Sequence, residues 1–131
     1  MQAFLCLLLR LSERVTRMIN EPNKIAMILS GIVSVLLERG HGNIDVSIKR
    51  DDKSTTIIII QRQATYTDTF IEWLKKGLKP RRKGVVEEYY WRLADMNFES
   101  DNLNLVGALI DESEVQLKDN VLRIKVARYI G

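Results

Sequence analysis

Residues 75–83 read KKGLKPRRK: six cations in nine positions and no acid. The chemistry that such a run can do is anion binding. Arg81 and Arg82 carry planar forks that match phosphate or carboxylate two bonds at a time, and Lys75, Lys76, Lys79 and Lys83 add compact point charges. The run also decides the charge of the whole chain. Of 20 Lys+Arg set against 17 Asp+Glu, the 14 cations outside it face all 17 acids, a net of −3. The protein is thus a mildly acidic body with one concentrated basic segment. Aromatic residues flank the run in sequence, with Trp73 before it and Tyr89, Tyr90 and Trp91 after it. Cations beside stacking rings suit single-stranded nucleic acid. A plainer reading competes with this one. Lysines close to a helix C-terminus are favoured by the helix dipole alone, and the spacing of Tyr90 with Val86 and Leu93 reads as core.

Other chemistry lacks parts. The chain has one histidine, His41, and one cysteine, Cys6, whereas structural zinc takes four nitrogen or sulfur ligands at short spacings. We expect no metal and no cofactor. Asp51-Asp52 sits in a turn, where solvated aspartate is the default. The cluster Asp111-Glu112-Ser113-Glu114 reads as a helix end and loop. His41 lies in a Gly-His-Gly hinge without a partner to position it as a base. Ser30 and Ser34 lie on a helix, with no nucleophile elbow around them. No Walker loop and no GxGxxG occurs, and Gly40-His41-Gly42 is too short to cradle a phosphate. Cys6, within FLCLLL, reads as small core filler. With one cysteine there is no internal disulfide, and the natural setting is a reducing compartment. These absences lean away from an enzyme and assign no catalytic residue.

The elements that must carry the basic run follow from periodicity. Residues 3–19 place Phe4, Leu7, Leu8, Leu11, Val15 and Met18 on one helical stripe, which Leu5, Cys6 and Leu9 widen. Asn20-Glu21-Pro22 reads as a restart. A second helix then runs to Arg39 through Ile25, Ile28, Leu29, Ile32, Val35 and Leu36, and ends at Gly40. Residues 43–50 alternate strictly, so Ile44, Val46 and Ile48 share the inner face of a half-buried strand. Residues 55–61 hold four consecutive isoleucines and read as a strand buried on both faces. The two strands form a hairpin across Asp51-Asp52-Lys53-Ser54. Thr67 or Asp68 caps a helix with Phe70, Ile71 and Leu74 inward. The basic run follows as a loop hinged at Gly77, Pro80 and Gly84, expected to be mobile and to order on an anionic partner. A helix over 85–96, a short apolar helix over 103–110 capped by Ser100 or Asp101, and strands at 114–117 and 121–129 complete the chain. Asp119-Asn120 serves as the last tight turn.

The order is α-α-β-β-α-α-α-β-β. Strand pairs separated by helices, with no βαβ alternation, predict an α+β two-layer sandwich: helices on one face of a roughly four-stranded, mostly antiparallel sheet. A chain of 131 residues is one domain, residues 1–131, and its 46% hydrophobic content suffices for a core. The apolar stretch near the N-terminus has no preceding cation and no cleavage site, and seven apolar residues cannot span a bilayer. We expect a soluble, cytoplasmic protein without membrane contact.

From Lys24 onward the element order resembles the ATP-binding fold shared by histidine kinases, anti-sigma-factor kinases and gyrase-type ATPases. KIAMILSGIVSVLLERGHG is similar to the long helix of that fold, NIDVSIKRDDKSTTIIII to its hairpin, and LNLVGALIDESEVQLKDNVLRIKV to its closing helix and strands. The nucleotide motifs depart from the pattern. In that family the long helix holds an asparagine for magnesium four residues before a His-Gly or similar pair, and here Leu37 stands there. Gln61-Arg62-Gln63-Ala64 stands where Asp-x-Gly-x-Gly belongs, and Gly107, inside a helix, does not replace the glycine-rich lid. The resemblance implies a degenerate ATP site in which no residue inherits a catalytic role.

Three functions remain. The first is a non-enzymatic binding or regulatory module that contacts an anionic partner through the basic loop, by protein–protein association, with a homodimer or partner surface on the N-terminal helices. The second is a nucleic-acid-binding protein with Lys75, Lys76, Lys79, Arg81, Arg82 and Lys83 on phosphates. The third is a divergent ATPase or kinase-like domain.

Overall fold

The computed structural model describes the backbone of residues 2–82 and 102–130 and the side chains of residues 21–82 and 103–130. The chain begins with one helix, α1 (Gln2–Arg39), of 38 residues. At 1.5 Å per residue it is about 57 Å long. The expected restart at Asn20-Glu21-Pro22 does not occur, because the helix passes through with Pro22 inside it. An interior proline costs about 3 kcal/mol. Two features around it offset this. Ile25, Ile28, Ile32 and Leu36 are buried in the core. Glu21 is held by Arg128, whose Nε and Nη2 donate to the two carboxylate oxygens at 2.6 and 3.0 Å. Arg128 is only 3% exposed, and its Nη1 also donates to the Leu109 carbonyl at 2.8 Å.

Two antiparallel hairpins follow, separated in sequence by helices. Strands β1 (Ile44–Arg50) and β2 (Ser54–Gln61) form the first. Its turn is built by Asp51, whose Oδ1 accepts the backbone N–H groups of Lys53 and Ser54 at 2.7 and 2.8 Å. Those bonds hold the Asp51 carboxyl below the usual carboxylate range. Helix α2 (Asp68–Gly77) is capped by Thr67, whose side chain accepts from the Phe70 N–H at 3.2 Å. Helix α3 (Asn102–Leu109) is short and apolar, and β3 (Glu112–Lys118) and β4 (Val121–Tyr129) form the second hairpin. Asp119 and Asn120 both have positive φ, 52° and 60°, as a two-residue hairpin turn of the primed type requires.

The strand order is β1-β2-β4-β3, antiparallel throughout, with β2 paired to β4 from Ser54↔Tyr129 to Gln61↔Leu122. The described helices pack on one face, so the domain is an α+β two-layer sandwich. Ile57, Ile59, Leu122, Ile124 and Val126 supply the sheet side of the core, and Leu74, Leu78, Leu103, Val106 and Leu109 the helix side.

Two strand expectations are corrected. The isoleucine run of β2 is not buried on both faces: Ile57 and Ile59 are buried, while Ile58 and Ile60 are half-buried. They look onto the open face, where their cross-strand neighbours are Lys125 and Arg123. Long cationic stems shade such neighbours without enclosing them. In β1 only Ile44 packs against the core, whereas Val46 and Ile48 are 42% and 43% exposed. The expected helix over 85–96 with Tyr89, Tyr90 and Trp91, the hinge at Gly84, and the side chains of Cys6 and of the 4–18 stripe lie outside the described residues.

Candidate functional site

The six cations do not share one role. Lys75 and Lys76 lie in the last turn of α2, and Lys79 follows it. All three are exposed. Lys75 makes a loose i,i+3 pair with Glu72 at 3.7 Å, worth little at a surface. Lys76 and Lys79 form no ion pair among the described residues. Lys83 lies outside the described residues.

The two arginines are engaged by the fold. The N–H of Arg81 donates to the Gly107 carbonyl at 2.8 Å. Its guanidinium donates to the carbonyls of Lys76, Gly77 and Asn104 at 3.3, 3.4 and 2.8 Å. The first two are acceptors left over at the C-terminus of α2, so Arg81 closes that helix and bolts it to α3. Arg82 donates to Asp111 at 2.7 Å and to the Tyr129 carbonyl at 2.6 Å. Asp111 also accepts the Tyr129 N–H at 2.7 Å. Arg82 therefore ties the run to the end of β4.

Residues 78–82 are thus fastened, in place of the mobile hinge expected of them. Leu78 is fully buried and its N–H donates to the Leu74 carbonyl at 2.9 Å. The one apolar side chain within the basic run was the sequence signal for this anchor. Gly107 completes the joint. A Cβ there would stand 2.7 and 2.8 Å from the carbonyl oxygens of Gly77 and Lys79 and would meet the Arg81 guanidinium.

An aromatic cluster lies beside the lysines. Tyr66 stacks on Phe70 with ring centroids 4.4 Å apart, and Phe70 and Trp73 are 5.7 Å apart. The guanidinium carbon of Arg39 lies 5.7 Å from the Phe70 centroid and 5.8 Å from that of Trp73. Trp73 is 38% exposed, and Lys76 is one helical turn further on. Arg39 reads from sequence only as the end of a polar helix face, and its meeting with Trp73 depends on how α1 and α2 pack.

His41 is exposed next to a structural joint. Gln61, fully buried, donates to the Gly42 carbonyl at 3.4 Å and accepts the Tyr66 hydroxyl at 2.6 Å. Burial pushes the Tyr66 phenol up, and the bond to Gln61 opposes that shift more weakly. Leu37, where the resembled fold holds asparagine, is 66% exposed. A shallow concavity of about 410 Å³ lies between Pro80, Glu112, Ser113, Glu114, Lys125 and Ala127. Its acids lie at the surface, and the bond from Tyr129 to Glu112 holds the phenol above its usual range. Among the described residues no three ligating side chains gather to hold a metal, and no helix is long and apolar enough to cross a membrane.

No protein-family model matches this chain, and a search of curated proteins found no match.

Proposed function

We propose that the protein is a non-enzymatic binding module that meets an acidic partner protein on the surface of Lys75, Lys76 and Lys79. One observation carries this reading. Of the five described cations in the run, the fold engages the two arginines and leaves the three lysines in solvent at one end of α2. The negative end of the α2 dipole, about half an elementary charge, offsets only a part of their three positive charges, so a partner carboxylate meets a local positive field. Arg81 and Arg82 hold that surface in shape, and their own direct contact with the anion is secondary.

A second reading is favoured by the exposed Trp73 face beside Arg39 and Lys76. These groups suit a base stacked on the ring with its phosphate on the lysines. Fluorescence anisotropy at low salt separates the two readings, with a labelled glutamate-rich peptide and a labelled single-stranded oligonucleotide titrated in parallel. Peptide binding lost in Lys76→Glu/Lys79→Glu supports the first. Oligonucleotide binding with a log–log salt slope of about −2, the value for three lysines on a single strand, and weakened by Trp73→Ala, supports the second. Retention of neither probe at low salt overturns both.

A further inference from the structure

Strand β1 is an edge strand that no described element covers, and of the usual protective devices it has only its charges, Asp45, Lys49 and Arg50. It contains no proline, and it pairs with β2 residue for residue without a bulge from Ile44↔Gln61 to Arg50↔Thr55. Every residue from 45 to 50 is exposed, including Val46 and Ile48 on the helix-covered face. The opposite edge differs, because α2 packs beside β3 and Ser113, Val115 and Leu117 are half-buried. Natural sheets normally blunt an edge as open as β1.

The hydrogen-bond parity of β1 is fixed by its two ends. Arg62 N–H donates to Asn43, and Asp51 N–H donates to Ser54. Odd-numbered residues therefore turn their backbone groups toward β2, and Ile44, Val46, Ile48 and Arg50 turn theirs outward. We propose that this edge pairs with β1 of a second copy of the chain, antiparallel, with Ser47 on the two-fold axis. In that register Val46 lies opposite Ile48 of the second copy and Ile44 opposite its Arg50. All four pairs are between outward-facing residues, so each exchanges two backbone hydrogen bonds. On the open face Asp45 lies opposite Lys49 of the second copy, and Lys49 opposite its Asp45. Asp45 already pairs with Arg62, so each Lys49 joins an existing ion pair. The two exposed apolar residues cover each other on the helix face. Backbone parity, facing and charge thus agree on one register, and the two four-stranded sheets become one of eight.

Light scattering is expected to give a mass near twice 15.1 kDa. Ile48→Pro removes only an outward N–H, so it splits the dimer and leaves β1–β2 pairing in place. Lys49→Asp sets carboxylates against each other twice and weakens association about tenfold or more. The swap Asp45→Lys/Lys49→Asp restores it. In a Cys6→Ser background Ser47→Cys forms an intermolecular disulfide on mild oxidation, since a non-hydrogen-bonded antiparallel pair brings the Cα atoms within disulfide range. Asp45→Cys, off the axis, does not. A monomer at all concentrations, a dimer indifferent to these changes, or a Ser47→Cys variant that crosslinks no better than Asp45→Cys overturns the proposal.

Discussion

Gly107→Ala sets two effects of opposite sign against each other at the joint between α2, α3 and the basic run. In a helix interior the exchange gains about 1 kcal/mol of intrinsic propensity. Here the new methyl group would meet the Arg81 guanidinium and the carbonyl oxygens of Gly77 and Lys79, the latter two at 2.7 and 2.8 Å. Backbone carbonyls cannot swing aside as a side-chain tip can, so residues 77–81 must retreat by roughly half an ångström or more. Overpacking of this kind costs about 1–3 kcal/mol. The retreat also stretches the bonds from Arg81 to Gly107 and to Asn104, both 2.8 Å. Each is worth about 1 kcal/mol. The sum favours a net loss of about 1–3 kcal/mol. Urea denaturation followed by far-UV circular dichroism measures it, and a lower midpoint with an unchanged slope is the expected result. In an Arg81→Ala background the loss shrinks in part, because the guanidinium clash and the side-chain bond to Asn104 are gone, while the backbone bond from residue 81 to Gly107 and the two carbonyl contacts remain. A midpoint that is unchanged or raised by Gly107→Ala would refute the packing described for this joint.

Arg128→Ala leaves Glu21 and the Leu109 carbonyl without their buried donor and should cost about 3–5 kcal/mol. Arg128→Met/Glu21→Leu should recover most of it, and a single-variant loss below about 1 kcal/mol in thermal melts would contradict the clamp. Tyr66 has a raised phenol pKa, so the folded state keeps a proton that the unfolded chain gives up above about pH 10. Stability is whole below that pH and falls as pH rises through the folded pKa. Tyr66→Phe should make the decline shallower between about pH 9 and 11, with Tyr129 left to supply the remainder, and an unaltered slope would count against burial as the cause.

What the sequence disclosed depended on the range of the interaction. Strict alternation placed β1, a run of branched residues placed β2, and the Asp119-Asn120 pair marked the turn between the last two strands, because these are local properties of the backbone. Thr67 as a cap and Phe70, Ile71 and Leu74 as the inner face of α2 were legible for the same reason. Asn20-Glu21-Pro22 misled, since a cap residue and a first-turn proline are local signals, while Arg128, 107 positions away, holds Glu21. The isoleucine run of β2 misled because branched residues suit a pleated strand whether or not a second layer covers it. At the candidate site the charges were plain but their division was not. Which cations face solvent depends on Gly107, Asn104 and Asp111, and no window around residue 80 contains those partners.

The seam between β2 and β4 governs cooperativity. Each hairpin alone is a two-stranded ribbon with an uncovered apolar face, marginal in water. The turns of 51–53 and 119–120 close almost without loop entropy, while the seam spans about sixty residues even at its nearest pair, Gln61↔Leu122. Closing it costs roughly 2–3 kcal/mol more than closing a hairpin. That cost is repaid only when Ile57 and Ile59 meet Val126 and Ile124 beneath the helices. The described body therefore has no half that can stand while the other opens. The lysines at the end of α2 and the bare edge of β1 belong to one folding unit and rise or fall together.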